Sequence, residues 1–148
     1  MRPFLFRDMI PPDLEAVSAI ENASFSSPWS AGSIIDAIGR HGYITRVAAA
    51  GDQIDGYIIA IQLAGEGQLL DIAVHPGQRR MGIGCALMEE LLRIMREQGC
   101  RVMYLEVRAS NTPAIRLYEK IGFTAISTRK GYYKNPAEDA LIMKVEIK

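Results

Sequence analysis

Apolar residues recur along this chain with two periods, and the switches between them mark out alternating strands and helices. Phe4-Leu5-Phe6-Arg7 reads as a short first strand. Pro11-Pro12-Asp13 opens a helix whose apolar face is Leu14, Val17, Ile20 and Ala23 or Phe25. Ser30 can cap a second, short helix carrying Ile34, Ile35 and Ile38. Residues 43–50 and 54–63 have strand character and are separated by Gly51-Asp52, a hairpin signal. Gly65-Glu66-Gly67 reads as a turn before an apolar strand over residues 69–74. Ile83, Leu87, Leu91, Ile94 and Met95 then repeat at helical spacing, and Gly99 stops that helix. A strand over 103–107 leads to a helix from Asn111 to Gly122. Strands over 123–128 and 140–145 follow, with residues 131–138 as a polar, aromatic loop between them. The pattern predicts a mixed α/β fold, one domain over residues 1–148, with a six- or seven-stranded central sheet and helices on both faces.

Composition narrows the functional classes. At 148 residues the chain can bury a substantial core, and 49% hydrophobic with 23% charged residues is ordinary for a globular protein. Seventeen basic residues balance 17 acidic ones, so binding to a phosphate backbone has little electrostatic support, and no nucleic-acid partner is expected. Cys85 and Cys100 lack metal-ligand spacing, and with His41 and His75 as the two histidines no zinc site and no metal are expected. No apolar run approaches the ~20 residues of a membrane span. The segment Met1-Arg2-Pro3-Phe4-Leu5-Phe6-Arg7-Asp8 is too short and too soon charged for a signal peptide, so a cytoplasmic protein, monomeric or weakly dimeric, is expected.

The chemistry concentrates between residues 69 and 123. Leu69-Leu70-Asp71-Ile72-Ala73-Val74-His75-Pro76 runs into Arg79-Arg80-Met81-Gly82-Ile83-Gly84 and then into a helix. A glycine loop opening a helix leaves several backbone N–H groups pointing one way, which suits an anion. A P-loop would place Lys-Ser/Thr after the last glycine, where Cys85-Ala86 stands, and a dinucleotide fingerprint would need a third glycine. Further on, Leu105-Glu106-Val107-Arg108-Ala109-Ser110-Asn111 precedes Ala114, Tyr118 and Gly122-Phe123.

These motifs resemble the GNAT superfamily of N-acetyltransferases, and the second segment is similar to its ribosomal-protein-alanine N-acetyltransferase branch. Ser27-Pro28-Trp29-Ser30 and Gly131-Tyr132-Tyr133 extend the likeness over nearly the whole chain. The resemblance implies an acyl-CoA N-acyltransferase fold with a splayed central strand pair, and acetyl-CoA as acetyl donor. It implies that the backbone of Ile72, Ala73 and Val74 pairs with the pantetheine arm. It gives the pyrophosphate to Arg79, Arg80, Met81, Gly82, Ile83, Gly84 and Cys85, with a further contact from Asn111. His75, Met81 and Cys85 depart from the family pattern, and Lys130-Gly131 before the paired tyrosines departs on the acceptor side.

Strand alternation groups Glu106 with Tyr104 and Arg108, opposite Met103, Leu105 and Val107, which by itself fits a solvated glutamate paired with an arginine. The resemblance makes Glu106 the proton acceptor for an attacking amine. Tyr118 lies seven residues beyond Asn111, about two turns along the same helix face. On pattern alone it packs with Leu117 and Ile121; the resemblance makes it the proton donor to the coenzyme A sulfur. Asn111 also suits a helix cap.

Trp29, Tyr132 and Tyr133 match loops that frame the family's peptide groove. Neutralising a free α-amine of pKa ~8 at pH 7 costs about 1–1.5 kcal/mol, against about 4.6 kcal/mol for a lysine, which favours a protein N-terminus as substrate. The resemblance points to the N-terminal alanine of a ribosomal protein. A lysine or small-amine acetyltransferase and a non-catalytic acetyl-CoA-binding module are the alternatives. Cys85 has no base partner in a triad pattern, so a covalent acyl-enzyme is not expected.

Overall fold

Long runs of apolar and β-branched residues with both faces to bury become the centre of a sheet. Residues 54–60 of the third strand are all buried, which an element covered on one face only would not allow. The computed structural model describes residues 3–148; Met1 and Arg2, part of the N-terminal segment read above, lie outside them. The strands are β1 (Leu5–Asp8), β2 (Tyr43–Ala50), β3 (Gln53–Leu63), β4 (Glu66–Val74), β5 (Val102–Arg108), β6 (Thr124–Tyr133) and β7 (Glu138–Glu146). The helices are α1 (Leu14–Ser24), α2 (Ala31–Ala37), α3 (Ile83–Glu97) and α4 (Thr112–Ile121), with short 3-10 turns at Pro11–Asp13 and Pro76–Gln78. The seven strands form one sheet in the order β1-β2-β3-β4-β5-β7-β6.

Helices cover both faces. α3 and α4 pack into a cluster with Ile58, Leu69, Met103 and Leu105, whereas α1 and α2 pack into another with Val47, Tyr57 and Ile59. On α3 the stripe Ile83, Leu87, Met88, Leu91 and Met95 is buried. Each such side chain contributes about 1.5–3 kcal/mol on an extended-chain reference. The exposed Arg93–Glu97 pair at 2.6 Å adds at most a few tenths of a kcal/mol. Burial therefore docks α3.

β4 and β5 are the only parallel neighbours, and they pair over three positions: Glu66 with Val102, Gly67 with Met103 and Gln68 with Tyr104. Beyond them the strands part. β4 stays bonded to β3 as far as Val74 opposite Gly56, and β5 stays bonded to β7 as far as Arg108 opposite Ala140. The expected splayed pair is present, but its junction precedes the predicted strand start at Leu69. The residues read as a turn, Glu66 and Gly67, already belong to β4; the turn itself is Ala64-Gly65, both at positive φ.

A second correction concerns the C-terminal hairpin. The loop read over 131–138 is mostly strand, because β6 runs to Tyr133 and β7 begins at Glu138. A bulge between Arg129 and Tyr133 breaks the β6–β7 register there, which hid the strand from a period-two reading. No helix among the described residues is long and apolar enough to cross a membrane.

Gly56 sets how closely α3 approaches the sheet. A Cβ there would lie 3.0 Å from the Ala73 carbonyl oxygen, 3.1 Å from Leu87 Cδ1 and 3.3 Å from Ile83 Cγ2. Gly56→Val is expected to lower unfolding free energy by about 1–3 kcal/mol through overpacking. A denaturant titration with an unchanged midpoint would contradict this account.

Candidate acyl-transfer site

Where β4 and β5 part, a cleft of about 610 Å³ opens between them. Its walls are the end of α1 and the segment after it, the outer half of β4, β5, and the first turns of α4. Past Gln68 and Tyr104 the facing edges of the two strands carry backbone N–H and C=O groups with no strand partner across the gap.

One end of the cleft leads to the start of α3. Gly82 stands at its N-cap with φ of 82°, a left-handed conformation that a side chain would strain, and no side chain caps the helix. The amides of Ile83, Gly84 and Cys85 belong to the first turn and have no intrahelical carbonyl to bond. A Cβ on Gly82 would meet nothing within 4 Å, so the space over these amides is open. The preceding turn is held by His75, whose Nδ1 accepts from the Gly77 amide at 2.9 Å.

The sequence-predicted residues divide into three groups. Ile72, Ala73, Val74, Arg79, Gly84, Glu106, Asn111, Tyr118, Trp29 and Tyr133 line the cleft. Arg80, Met81, Gly82, Ile83 and Cys85 lie in the loop and first turn beyond its lining, with the Ile83 side chain buried in the core. Tyr132 stands behind Glu106.

Several of these side chains have partners that sequence alone did not show. Arg79 turns back across the cleft floor, donating to the Val74 carbonyl at 3.0 Å and to Ser24 Oγ at 2.9 Å. Asn111 caps α4 by accepting from the Ala114 amide at 3.2 Å. Cys85 donates to Glu89 at 3.1 Å, and that contact pushes its thiol up, away from nucleophilic character.

Glu106 projects from β5 with its side chain 17% exposed and receives Arg129 Nη1 at 3.1 Å. Arg129 reaches it from β6, across the intervening β7. The Tyr132 phenol is pushed up by its hydrogen bond to Glu106, then by burial and the glutamate charge. Tyr133 is pushed up to about 12, by burial first and by Glu106 second. Tyr118 is buried edge-on to Phe123, with ring centroids 5.9 Å apart. Burial lifts its phenol above the usual tyrosine range, so at neutral pH it holds its proton and can serve as a donor.

Sequence reasoning missed Glu21 and Asp71, which also line the cleft and are 1% and 7% exposed. Burial pushes Asp71 well above the usual carboxylate range, and contact with Glu21 adds to the rise. Both carried a signal. Glu21 sits on the apolar stripe of α1 with Val17 and Ile20, and Asp71 is a lone carboxylate inside an apolar strand.

An open-edged cleft, uncapped amides at one end, and a carboxylate with a protonated phenol inside suit acyl transfer from an elongated, anionic donor. The chain belongs to the acetyltransferase (GNAT) family, whose family model matches residues 14–123, and it is accordingly an N-acetyltransferase. It is 35% identical over 137 residues to the [ribosomal protein bS18]-alanine N-acetyltransferase of Escherichia coli strain K12, covering 91% of this chain and 92% of the relative. The crystal structure of the ribosomal-protein-S18-alanine N-acetyltransferase from Escherichia coli superposes with a TM-score of 0.91 at 32% identity, over 99% of this chain and 95% of that one. At the level of fold alone, Arabidopsis thaliana NAA60 in complex with acetyl-CoA matches with a TM-score of 0.87 at 22% identity, over 98% of this chain and 99% of that one.

Gly82→Val would strain the loop and fill the space above the first-turn amides. Calorimetric titration of the folded variant with acetyl-CoA is expected to show affinity reduced by about tenfold or more, the loss of roughly one good anion contact. Wild-type affinity would remove this loop from the donor site.

Proposed function

We propose that this protein transfers the acetyl group of acetyl-CoA to the free N-terminal α-amine of a protein, namely the N-terminal alanine of a ribosomal protein. The observation that carries the reading is the cleft between β4 and β5, which brings Glu106 and Tyr118 together from two elements. The substrate assignment draws on the likeness to enzymes named for alanine acetylation of ribosomal protein bS18.

The residues present fit acetyl-CoA. The unpaired edge of β4 at Ile72, Ala73 and Val74 offers backbone partners to an amide-bearing arm, and the first-turn amides of α3 offer donors to a pyrophosphate. When bound, acetyl-CoA supplies the activated acetyl group and a thiolate leaving group.

The chain's own groups manage the protons. A carboxylate oxygen of Glu106 takes a proton from the acceptor ammonium, leaving a neutral nitrogen to attack. Arg129 and Tyr132 fix the orientation of that carboxylate. Tyr118 Oη gives its proton to the departing sulfur. Burial makes that phenol a weaker acid than a free tyrosine, so the transfer must accompany C–S cleavage rather than precede it.

Glu106→Gln is expected to retain acetyl-CoA binding and to lose turnover, most at acidic pH where more of the amine is protonated. Tyr118→Phe is expected to fold and to slow transfer. Both losses should fall in the range of about 10²–10⁴-fold in kcat. Wild-type rates in both variants would reduce these residues to packing and charge-pairing roles.

Acceptor class is tested with peptides. Those with a free N-terminal alanine or serine should be acetylated, and the same peptides blocked at the α-amine but retaining lysines should not. Equal reaction of the blocked peptides would reassign the enzyme to lysine or general amine acetylation.

A further inference from the structure

Glu21 and Asp71 meet carboxyl to carboxyl in the wall of the cleft, Glu21 from α1 and Asp71 from β4. Glu21 is already engaged. Its Oε1 accepts from the Tyr57 hydroxyl, and its Oε2 accepts from the Trp29 amide at 2.9 Å. Asp71 differs, because its Oδ2 is buried without a hydrogen-bond partner among the described residues, although 93% of this side-chain-bearing residue is withdrawn from solvent at the 7% exposure noted above. A buried acceptor left open at the wall of a cleft is a place for a ligand donor.

The position of Asp71 is no accident of alternation. β3 pairs Ile59 with Asp71 but Ala60 with Leu69, so Leu70 is an extra residue in β4. The bulge switches faces. Leu69 packs with Ile72 and Val74 on the α3 side, whereas Leu70 and Ala73 pack on the α1 side. Asp71 thereby meets Glu21 and Tyr57 on the α1 side.

We propose that Glu21 and Asp71 form the subsite that receives the ammonium group of the acetyl acceptor, with Asp71 Oδ2 as the open hydrogen-bond acceptor. The proposal rests on the reading of this cleft as an amine acetyltransferase site. Two carboxyls in contact do not both ionise, so the pair shares one proton and keeps one negative charge. An ammonium brings a positive charge and three N–H donors, which answer that charge and the open oxygen together. The acetylated product brings a neutral amide with a single N–H. The subsite thus holds the substrate and releases the product, and it positions the ammonium for loss of a proton to Glu106.

The double substitution Glu21→Gln/Asp71→Asn removes the charge and keeps the shape. The new glutamine amide can still accept from the Trp29 amide and donate to the Tyr57 oxygen. Steady-state kinetics should show KM for the amine acceptor raised by about tenfold or more. KM for acetyl-CoA and the melting temperature should stay near wild type, which a merely structural role would not give. An unchanged acceptor KM in the folded double variant overturns the subsite. Should that variant fail to fold, the wild-type enzyme loaded with coenzyme A decides by calorimetry. A free-amine peptide at mildly acidic pH should bind about tenfold or more tighter than the same peptide with a hydroxyl in place of the α-amine. Equal affinities overturn the proposal. If the wild-type enzyme acetylates lysines or small amines but no α-amine, the substrate assignment above falls, and the same comparisons run with that amine still decide the subsite.

Discussion

The cleft exists because two parallel strands stop bonding to each other while each remains bonded on its outer side. β4 keeps β3 and β5 keeps β7, so neither strand needs the other to stay in the sheet. The facing edges beyond Gln68 and Tyr104 are then left with backbone polar groups that want partners. An elongated amide-bearing ligand can supply them. The α3 start, reached from the end of β4 through a short turn, sets donors for an anion in line with that edge. The position of α3 in turn depends on the close approach at Gly56.

Acidic and phenolic groups gather in this cleft while the chain as a whole carries no net charge. Glu106 is matched by Arg129, whereas Glu21 and Asp71 answer each other and share a proton. Tyr118 is lifted by burial first, then by the Tyr133 and Asp71 charges. The result is a cleft with one paired carboxylate, one protonated phenol and one singly charged carboxyl pair, an arrangement suited to a cationic acceptor and a neutral product.

The mouth of the cleft is tied together from both sides. Arg108 donates to the carbonyls of Pro136 and Lys134, each at 2.9 Å, and pairs with Glu138 at 3.3 Å. Glu138 also accepts from the Ser110 amide at 2.6 Å, joining the β6–β7 turn to the entrance of α4. Ser26 Oγ donates to the Asn135 carbonyl at 2.6 Å and so links the segment after α1 to the same turn. Arg108 stacks on Tyr133 and Arg129 on Tyr132, at 4.5 and 4.4 Å from the ring centroids. These contacts shape the acceptor side, where Trp29 and Tyr133 also stand.

Features set by neighbours along the chain were legible in the sequence. The helical stripe from Ile83 to Met95 is buried as its spacing required, Ser30 and Asn111 cap their helices, and the Gly51-Asp52 turn joins β2 to β3. The alternation that set Glu106 apart from Leu105 and Val107 also held, as did the glycine loop before α3. Features set by partners far along the chain were not legible. The β4–β5 junction lies at residues read as a turn, because three parallel pairs across 36 positions leave no local period. Asp71 faces Glu21 only because the extra residue at Leu70 shifts its register against β3. Arg129 reaches Glu106 only because β7 lies between their strands. Local periodicity and turn chemistry determined the elements; the register and order of strands, which are set by burial and by hydrogen bonds between distant segments, decided which side chains meet in the cleft.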